Sequence, residues 1–392
     1  MLSRPARICP FRDTVGTLAG HQSERGSILR DVSVPTSMLA PHEGAERASL
    51  GPTGRSPLLI GRQAVGDVRK LHHTVPKFYL RGFADHREWI TTVRLPGEKS
   101  YTQSIDKSAA INHFYSIDGH PDGPDVFEKA LSDLEGSAAT VLRAIEAGKW
   151  PLSEEQRATL AMFLAVQTLR GPDHRRSMEY IAAHITRLEV EVTGRENVKQ
   201  WVQNRYGVEL DDDEAETVWQ QATQPGGPPI TLAPIAHIEQ IVNNAVELLP
   251  YLVSRPWQLV QFNRRSLVTS DSPVGLVAAE DSEPWEGIGF ATAWGITFPL
   301  TRKLGLIMSD IEPMIETGYP AEQVREGRLD SVERGTTALA RFINERTVYS
   351  ASEYVYRHPD DGAVLPAQLP ERRLSNFSIA GQGEPGFRLP TE

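Results

Sequence analysis

The sequence predicts an α+β fold: a predominantly helical layer packed on antiparallel β-hairpins, in a single domain with disordered termini. Three observations carry this expectation. Apolar residues recur at helical spacing through 126–149, 153–170, 172–194 and 232–253. β-Branched runs broken by turn residues lie at 89–105 and again after Pro256. Ends rich in Gly, Ser and Pro, 1–69 and 358–392, flank a globular stretch of 70–357.

Residues 1–69 hold a single aromatic, Phe11, and no sustained periodicity, so they bury too little to offset chain entropy. They read as a disordered or mis-started leader, with Met38 as another start. At Thr74 the composition changes. Thr74 can cap a short helix, Pro76 suits its first turn and Gly82 its C-terminal cap. A strand at 89–95, a Pro96-Gly97 turn and a return strand at 100–105 follow, then a short extended piece at 114–117.

The stretch 126–149 reads as a helix with Phe127, Leu131, Leu134, Ala138, Val141, Leu142 and Ile145 on one arc. Glu128 and Glu135, seven apart, sit together at the edge of that arc. They read either as partly buried carboxylates or as border residues that reach water. Ser153 and Gln156 form a capping box, and the run Leu160–Val166 behind it is apolar on every side, hence buried all round. Gln167 projects from the same side as Leu160, Phe163 and Leu164, and Arg170 lies one turn further on. A buried amide needs hydrogen-bond partners and a buried guanidinium needs a carboxylate. The alternative for Arg170 is to cap the last carbonyls or reach out to water.

Pro172 opens a further helix with Met178, Ile181, Ile185 and Leu188 at helical spacing. Helices at 196–206 and 211–221, a Pro-Gly break at 225–229 and a helix at 232–253 complete the helical part. After Pro256, 257–262 and 266–270 read as one hairpin and 293–301 with 304–309 as a second. Helices at 320–325 and 332–344, and closing strands at 348–350 and 354–357, end the globular part.

With 41 basic and 51 acidic residues the net charge is -10, which argues against a general nucleic-acid binder and leaves nucleic acid only as the substrate of a local cleft. No run approaches the roughly 18 apolar residues of a membrane helix, and the first residues hold no apolar core of the length a secretory signal needs, so a cytoplasmic location is expected. The lone Cys9 excludes an intrachain disulfide and a cysteine-based metal cage, so any metal site must use His, Asp and Glu. There is no GxSxG elbow, Walker loop or Rossmann glycine pattern.

Two segments carry candidate chemistry. His72 and His73, with Tyr79 and Arg81, suit an anionic ligand, and equally an ordinary salt-bridged wedge. Ser270-Asp271-Ser272-Pro273 follows a strand, where scaffolds present functional side chains; it also reads as plain turn chemistry. Together HHTVPKFYLRGFAD at 72–85, ExxLxxLE at 128–135, the 167–170 segment, SDSPV at 270–274 and FPLTRKLGLIM at 298–308 resemble the bacterial domain-of-unknown-function 4238 family, over about residues 70–357. The resemblance implies a fold unit and no reaction. It marks His73, Tyr79, Arg81, Glu128, Glu135, Gln167, Arg170, Ser270 and Asp271 as the polar positions matching the family pattern, with His73 the better match of the pair by its distance to Pro76.

The expectation is that His73, Arg81, Glu128, Glu135, Gln167, Arg170 and Asp271 converge on one polar pocket. Two functions would use it. In a nuclease-like hydrolase Glu128, Glu135 and Asp271 would hold Mg²⁺ or a similar divalent cation, His73 would be base or ligand, and Arg81 and Arg170 would hold phosphate, with Tyr79, Gln167 and Ser270 binding substrate. In a non-catalytic binding or sensing domain the same residues would be a structural ion-pair network. Carboxylates clustered together favour the first; carboxylates each facing an arginine favour the second.

Overall fold

A computed structural model describes residues 71–116, 123–280, 282 and 287–373. In chain order it forms β1 (Leu71–His73), α1 (Lys77–Leu80), β2 (Trp89–Arg94), β3 (Lys99–Ser104), β4 (Ala110–Asn112), α2 (Val126–Glu146), α3 (Glu154–Leu169), α4 (Pro172–Thr193), α5 (Val198–Tyr206), α6 (Asp212–Thr223) and α7 (Pro234–Val253). Then come β5 (Trp257–Gln261), β6 (Thr269–Ser270), β7 (Gly275–Val277), β8 (Gly295–Thr301), β9 (Leu304–Ser309), α8 (Glu312–Glu316), α9 (Ala321–Arg325), β10 (Ser331–Arg334), α10 (Thr337–Ser350) and β11 (Tyr354–Arg357).

The fold is α+β, as the sequence predicts. Helix α3 is its centre. The Ser153–Gln156 capping box closes its first turn, and its middle is buried on every side between α2 and α7. The apolar face of α2, Phe127 to Ile145, packs there with Ile238, Ile241 and Leu249 of α7 and with the inward residues of β5, β8 and β9 in one continuous core. A five-stranded sheet runs β10-β5-β9-β8-β7 and a four-stranded sheet β3-β2-β11-β6; β1 pairs with β4 alone. Only β10 and β5 run parallel among the described pairs. Tyr79, buried in the His-rich segment, ties the two larger sheets together: its hydroxyl contacts Thr269 Oγ1 at 2.8 Å on β6 and donates to the Pro299 carbonyl at 2.6 Å on β8. Its neighbour Gly82 lies against Thr301, where a Cβ would come within 3.2 Å of that side chain.

Several local expectations change. Thr74 caps no helix; its hydroxyl donates to the Ala109 carbonyl, and α1 begins behind Pro76. Residues 114–116 form a turn rather than a strand, after β4. β5 and β6 are not a hairpin: the Phe262 and Leu267 N–H groups donate to Lys303 and Arg302 in the β8–β9 turn, and β6 joins the other sheet beside β11. The helix expected at 332–344 divides into edge strand β10 and the start of α10. Gly335 lies at the division, where a Cβ would meet the Phe262 ring at 2.2 Å, and the Thr336 side chain then caps α10. Residues 348–350 end α10 instead of forming a strand. On α4, Ser177, Ala183, His184 and Val190 face inward while Ile185, Leu188 and Val192 are exposed, so its apolar spacing does not mark its buried side.

The tail expected from His358 does not hold for 358–373. Asp361 accepts two hydrogen bonds from Arg302, and Val364, Leu365 and Leu369 cover a small core of Leu95, Val268, Val348, Ala351 and Val355. The expectations for the leader 1–69 and for 374–392 lie outside the described residues. No helix among the described residues is long and apolar enough to cross a membrane.

Candidate functional site

The candidate residues gather at the C-terminal end of α3, where the chain leaves it for α4. Arg170, wholly buried, is the hub. Its Nη1 donates to Glu135 Oε1 of α2 at 2.7 Å and its Nη2 to the His73 carbonyl of β1 at 2.6 Å. Its Nε stands 3.5 Å from Tyr115 Oη, and that hydroxyl donates back to the Arg170 carbonyl at 2.6 Å. Burial works against the guanidinium charge, but Tyr115 and Glu135 outweigh it and hold the pKa above its ordinary value. Burial likewise pushes the Tyr115 phenol up to about 12, so it stays a neutral donor. One turn back, Gln167 Nε2 donates to the Thr74 carbonyl at 3.0 Å. The inward projection of Gln167 and Arg170 is therefore as the helical spacing suggests, and of the two readings left open for Glu128 and Glu135 the structure has the partly buried one.

Of the histidine pair, the buried member is His72. Strand alternation turns it inward, where its Nδ1 accepts from the Tyr115 N–H at 2.8 Å and lies 3.8 Å from Glu128 Oε1. Its ring stacks on Tyr115 with centroids 5.8 Å apart. His73 points the other way and meets the Asp106 carbonyl at 3.2 Å; burial and then Lys77 lower its pKa. It joins Arg170 through its backbone alone among the bonds described.

Arg81 and Asp271 do not join this group. Arg81 pairs at 2.5 Å with Glu88 on the surface. Asp271 is buried where β6 ends, and its carboxylate accepts from the N–H groups of Ser352, Glu353 and Tyr354 at 2.8 to 3.0 Å, fixing the approach to β11. Ser270 Oγ accepts from Ser272 N–H at 3.2 Å. The SDSP segment is turn chemistry of the kind its composition suggests. Burial and the neighbouring Asp173 push Asp271 up to about 7, against its three hydrogen bonds. Asp173, buried in the first turn of α4, accepts from Ser272 Oγ at 2.6 Å, and the guanidinium of Arg373 is electrostatically coupled to both carboxylates.

Glu128, Glu135 and Asp271 thus go to three different partners: a histidine, an arginine and a row of backbone N–H groups. Among the described residues no three His, Cys, Asp or Glu side chains are placed to hold a metal ion.

Sequence reasoning misses several buried polar residues. Arg157, in the first turn of α3, donates to Asp330 and to the Arg255 carbonyl, and to the Val253 carbonyl at 3.3 Å, with its guanidinium 4.1 Å over the Trp257 ring. Burial brings its pKa down to about 10 and raises that of Asp330. His174 and His237 lie with ring centroids 6.0 Å apart between α4 and α7; burial, then His174 and Arg175, bring His237 down to about 4. Nothing local marks these residues, since Arg157 sits in a turn normally open to water and its acid lies 173 residues away.

No curated protein and no solved structure matches the chain. The family described as "Protein of unknown function (DUF4238)" matches residues 71–361, the span that holds both larger sheets, the α3 hub and the SDSP turn. The chain belongs to that family.

Proposed function

We propose that this chain is a non-catalytic binding or sensing domain, in which the polar residues around Arg170 are a scaffold that clamps the His-rich segment onto the helical layer. One observation carries this reading: three buried charged groups are each met by a separate partner, Arg170 by Glu135, Arg157 by Asp330 and Asp271 by three backbone N–H groups. A carboxylate taken up by an arginine or by backbone donors has fewer lone pairs left for a hard cation. The same pairing is what a fold-specifying network requires.

The test combines a Glu135→Gln/Arg170→Met double-mutant cycle with thermal melts in millimolar Mg²⁺ or Mn²⁺. A scaffold gives a coupling energy of about 1–3 kcal/mol and melts that the cations leave unchanged. A cation-induced rise in melting temperature that disappears in Glu128→Gln or Glu135→Gln would favour the metal-dependent hydrolase instead.

A hydrolase without those metal ligands keeps one supporting observation. Asp173 and Asp271 are both buried, Asp173 adds to burial in raising Asp271, and Ser272 Oγ donates to Asp173 at 2.6 Å. Turnover of bis-p-nitrophenyl phosphate or a p-nitrophenyl ester that vanishes in a folded Asp173→Asn variant would establish it; no turnover of either would count against it.

A further inference from the structure

At the far end of the five-stranded sheet a charged side chain shapes an apolar surface. Arg255, buried behind α7, sends its donors to four backbone carbonyls: Tyr251 at 3.0 Å, Phe290 at 3.0 Å, Ala293 at 2.8 Å and Ser309 at 3.3 Å. The end of α7, the 287–294 loop and the end of β9 are thereby drawn to one point. Inside the loop, Ala293 and Thr292 N–H both donate to the Gly289 carbonyl, and Gly289 N–H donates to Thr292 Oγ1, so its path is held by its own bonds.

What this knot presents is unusual for a surface loop. Residues 287–294 read GIGFATAW and contain no charge. Ile288, Trp294 and Tyr251 stand about two-fifths exposed, and Ile315 of the adjoining α8 is 57 % exposed. Scattered exposed apolar residues are ordinary; here the segments that carry them are held to one buried arginine, which is the setting of an interaction surface. Tyrosine and tryptophan are also the residues that most often anchor interfaces. The charges next to these residues along the chain have one sign. Asp310 acts electrostatically on Arg255, Glu312 and Glu316 flank Ile315 along α8, and 287–295 and 309–317 contain no Lys or Arg. Gly295 pairs with Ser309 across β8 and β9, which sets Trp294 beside Asp310.

We infer that this face is a docking site for a basic amphipathic protein segment, one whose apolar residues cover Tyr251, Ile288, Trp294 and Ile315 while its Lys or Arg residues meet these acids. Charge decides between this occupant and an anionic membrane, because acidic lipid headgroups would be repelled by the same acids. The inference rests on the binding-domain reading above and gives it a partner class.

The test uses the full chain and a fluorescein-labelled 18-residue helix of leucine and lysine, with a leucine–glutamate helix of the same pattern as the control, followed by anisotropy. The lysine helix is expected to bind, the glutamate helix is not, and salt is expected to weaken the complex. Ile288→Ser/Trp294→Ser, and separately Asp310→Asn/Glu312→Gln/Glu316→Gln, should each weaken binding at least about tenfold. Neutralising three acids elsewhere, Glu154→Gln/Glu209→Gln/Asp213→Asn, should leave it within about twofold, which excludes a general effect of net charge. Unaltered binding in the two patch variants, equal binding of both helices, or no binding at all would overturn the inference. So would co-sedimentation of the chain with phosphatidylserine vesicles that Trp294→Ser abolishes. None of these outcomes alters the Glu135–Arg170 coupling or the cation melts, so the two readings fail separately.

Discussion

Helix α3 carries one buried arginine in its first turn and another at its C-cap, and the two are held in different ways. Arg157 faces Asp330, which is equally buried, under a tryptophan ring and two backbone carbonyls. Arg170 faces Glu135, whose side chain is 23 % exposed, with a phenol and the His73 carbonyl as further acceptors. At the first site burial prevails and lowers the arginine pKa; at the second the acceptors prevail and raise it. An ion pair shut off from water on both sides is costly to form and worse to break singly, because the survivor has nothing to solvate it. A pair with one wet member forgives more, since water reaches the carboxylate that is left. The residues that most resemble a functional site are thus the less critical of the two for the fold.

That contrast can be broken experimentally. The largest effect is expected for Asp330→Ala, which strands Arg157: about 3–5 kcal/mol lost in urea unfolding, with much of it recovered in Arg157→Met/Asp330→Asn. Arg170→Met should cost less, about 2–3 kcal/mol, because Glu135 can turn to solvent. A cost above that of Asp330→Ala would invert the comparison. Tyr115→Phe removes one donor to the Arg170 carbonyl and should cost about 1 kcal/mol in the same assay. His73→Ala, which touches the hub only through a backbone that the variant keeps, should stay within about 0.5 kcal/mol.

Titration extends the contrast to two groups that burial pushes toward their neutral form. His237 holds its pKa near 4, below the ordinary 6.5, so its contribution is complete above pH 6.5 and is lost as pH falls toward 4. Asp271 is raised from 3.8 to about 7, so its contribution is complete below pH 3.8 and is lost as pH rises through 7. The two slopes oppose each other between about pH 4 and 6.5. In His237→Asn the opposing slope is gone, and the urea midpoint should fall more steeply from pH 4 to 7 than in the wild type. Parallel profiles would show that His237 is not held neutral by burial.

Much of the fold was legible in the sequence wherever the cause was local. A capping box starts α3, a proline starts α4, a run apolar all round places α3 at the centre, and turn residues at Pro96-Gly97 separate β2 from β3. The candidate site was legible in part. Gln167 and Arg170 follow from helical spacing, as does the edge position of Glu128 and Glu135. The buried histidine did not, because which of His72 and His73 turns inward depends on the pairing of β1 with β4, which nothing nearby announces. Arg157, His174 and His237 were illegible for the same kind of reason: their burial depends on elements from distant parts of the chain.

The amino-acid sequence by itself determined the class of fold, the course of its main helices, the inward side of α2 and α3, and the family. Those properties come from periodicity and from caps, which act over a few residues. Only the tertiary structure decided that Asp271 serves a backbone turn, that Arg81 stays at the surface, that β6 leaves β5 for another sheet and that Arg255 ties the 287–294 loop to the ends of α7 and β9. Each depends on which distant donor meets which acceptor, and such meetings are settled by packing in three dimensions, where residues far apart in the chain compete for the same few partners.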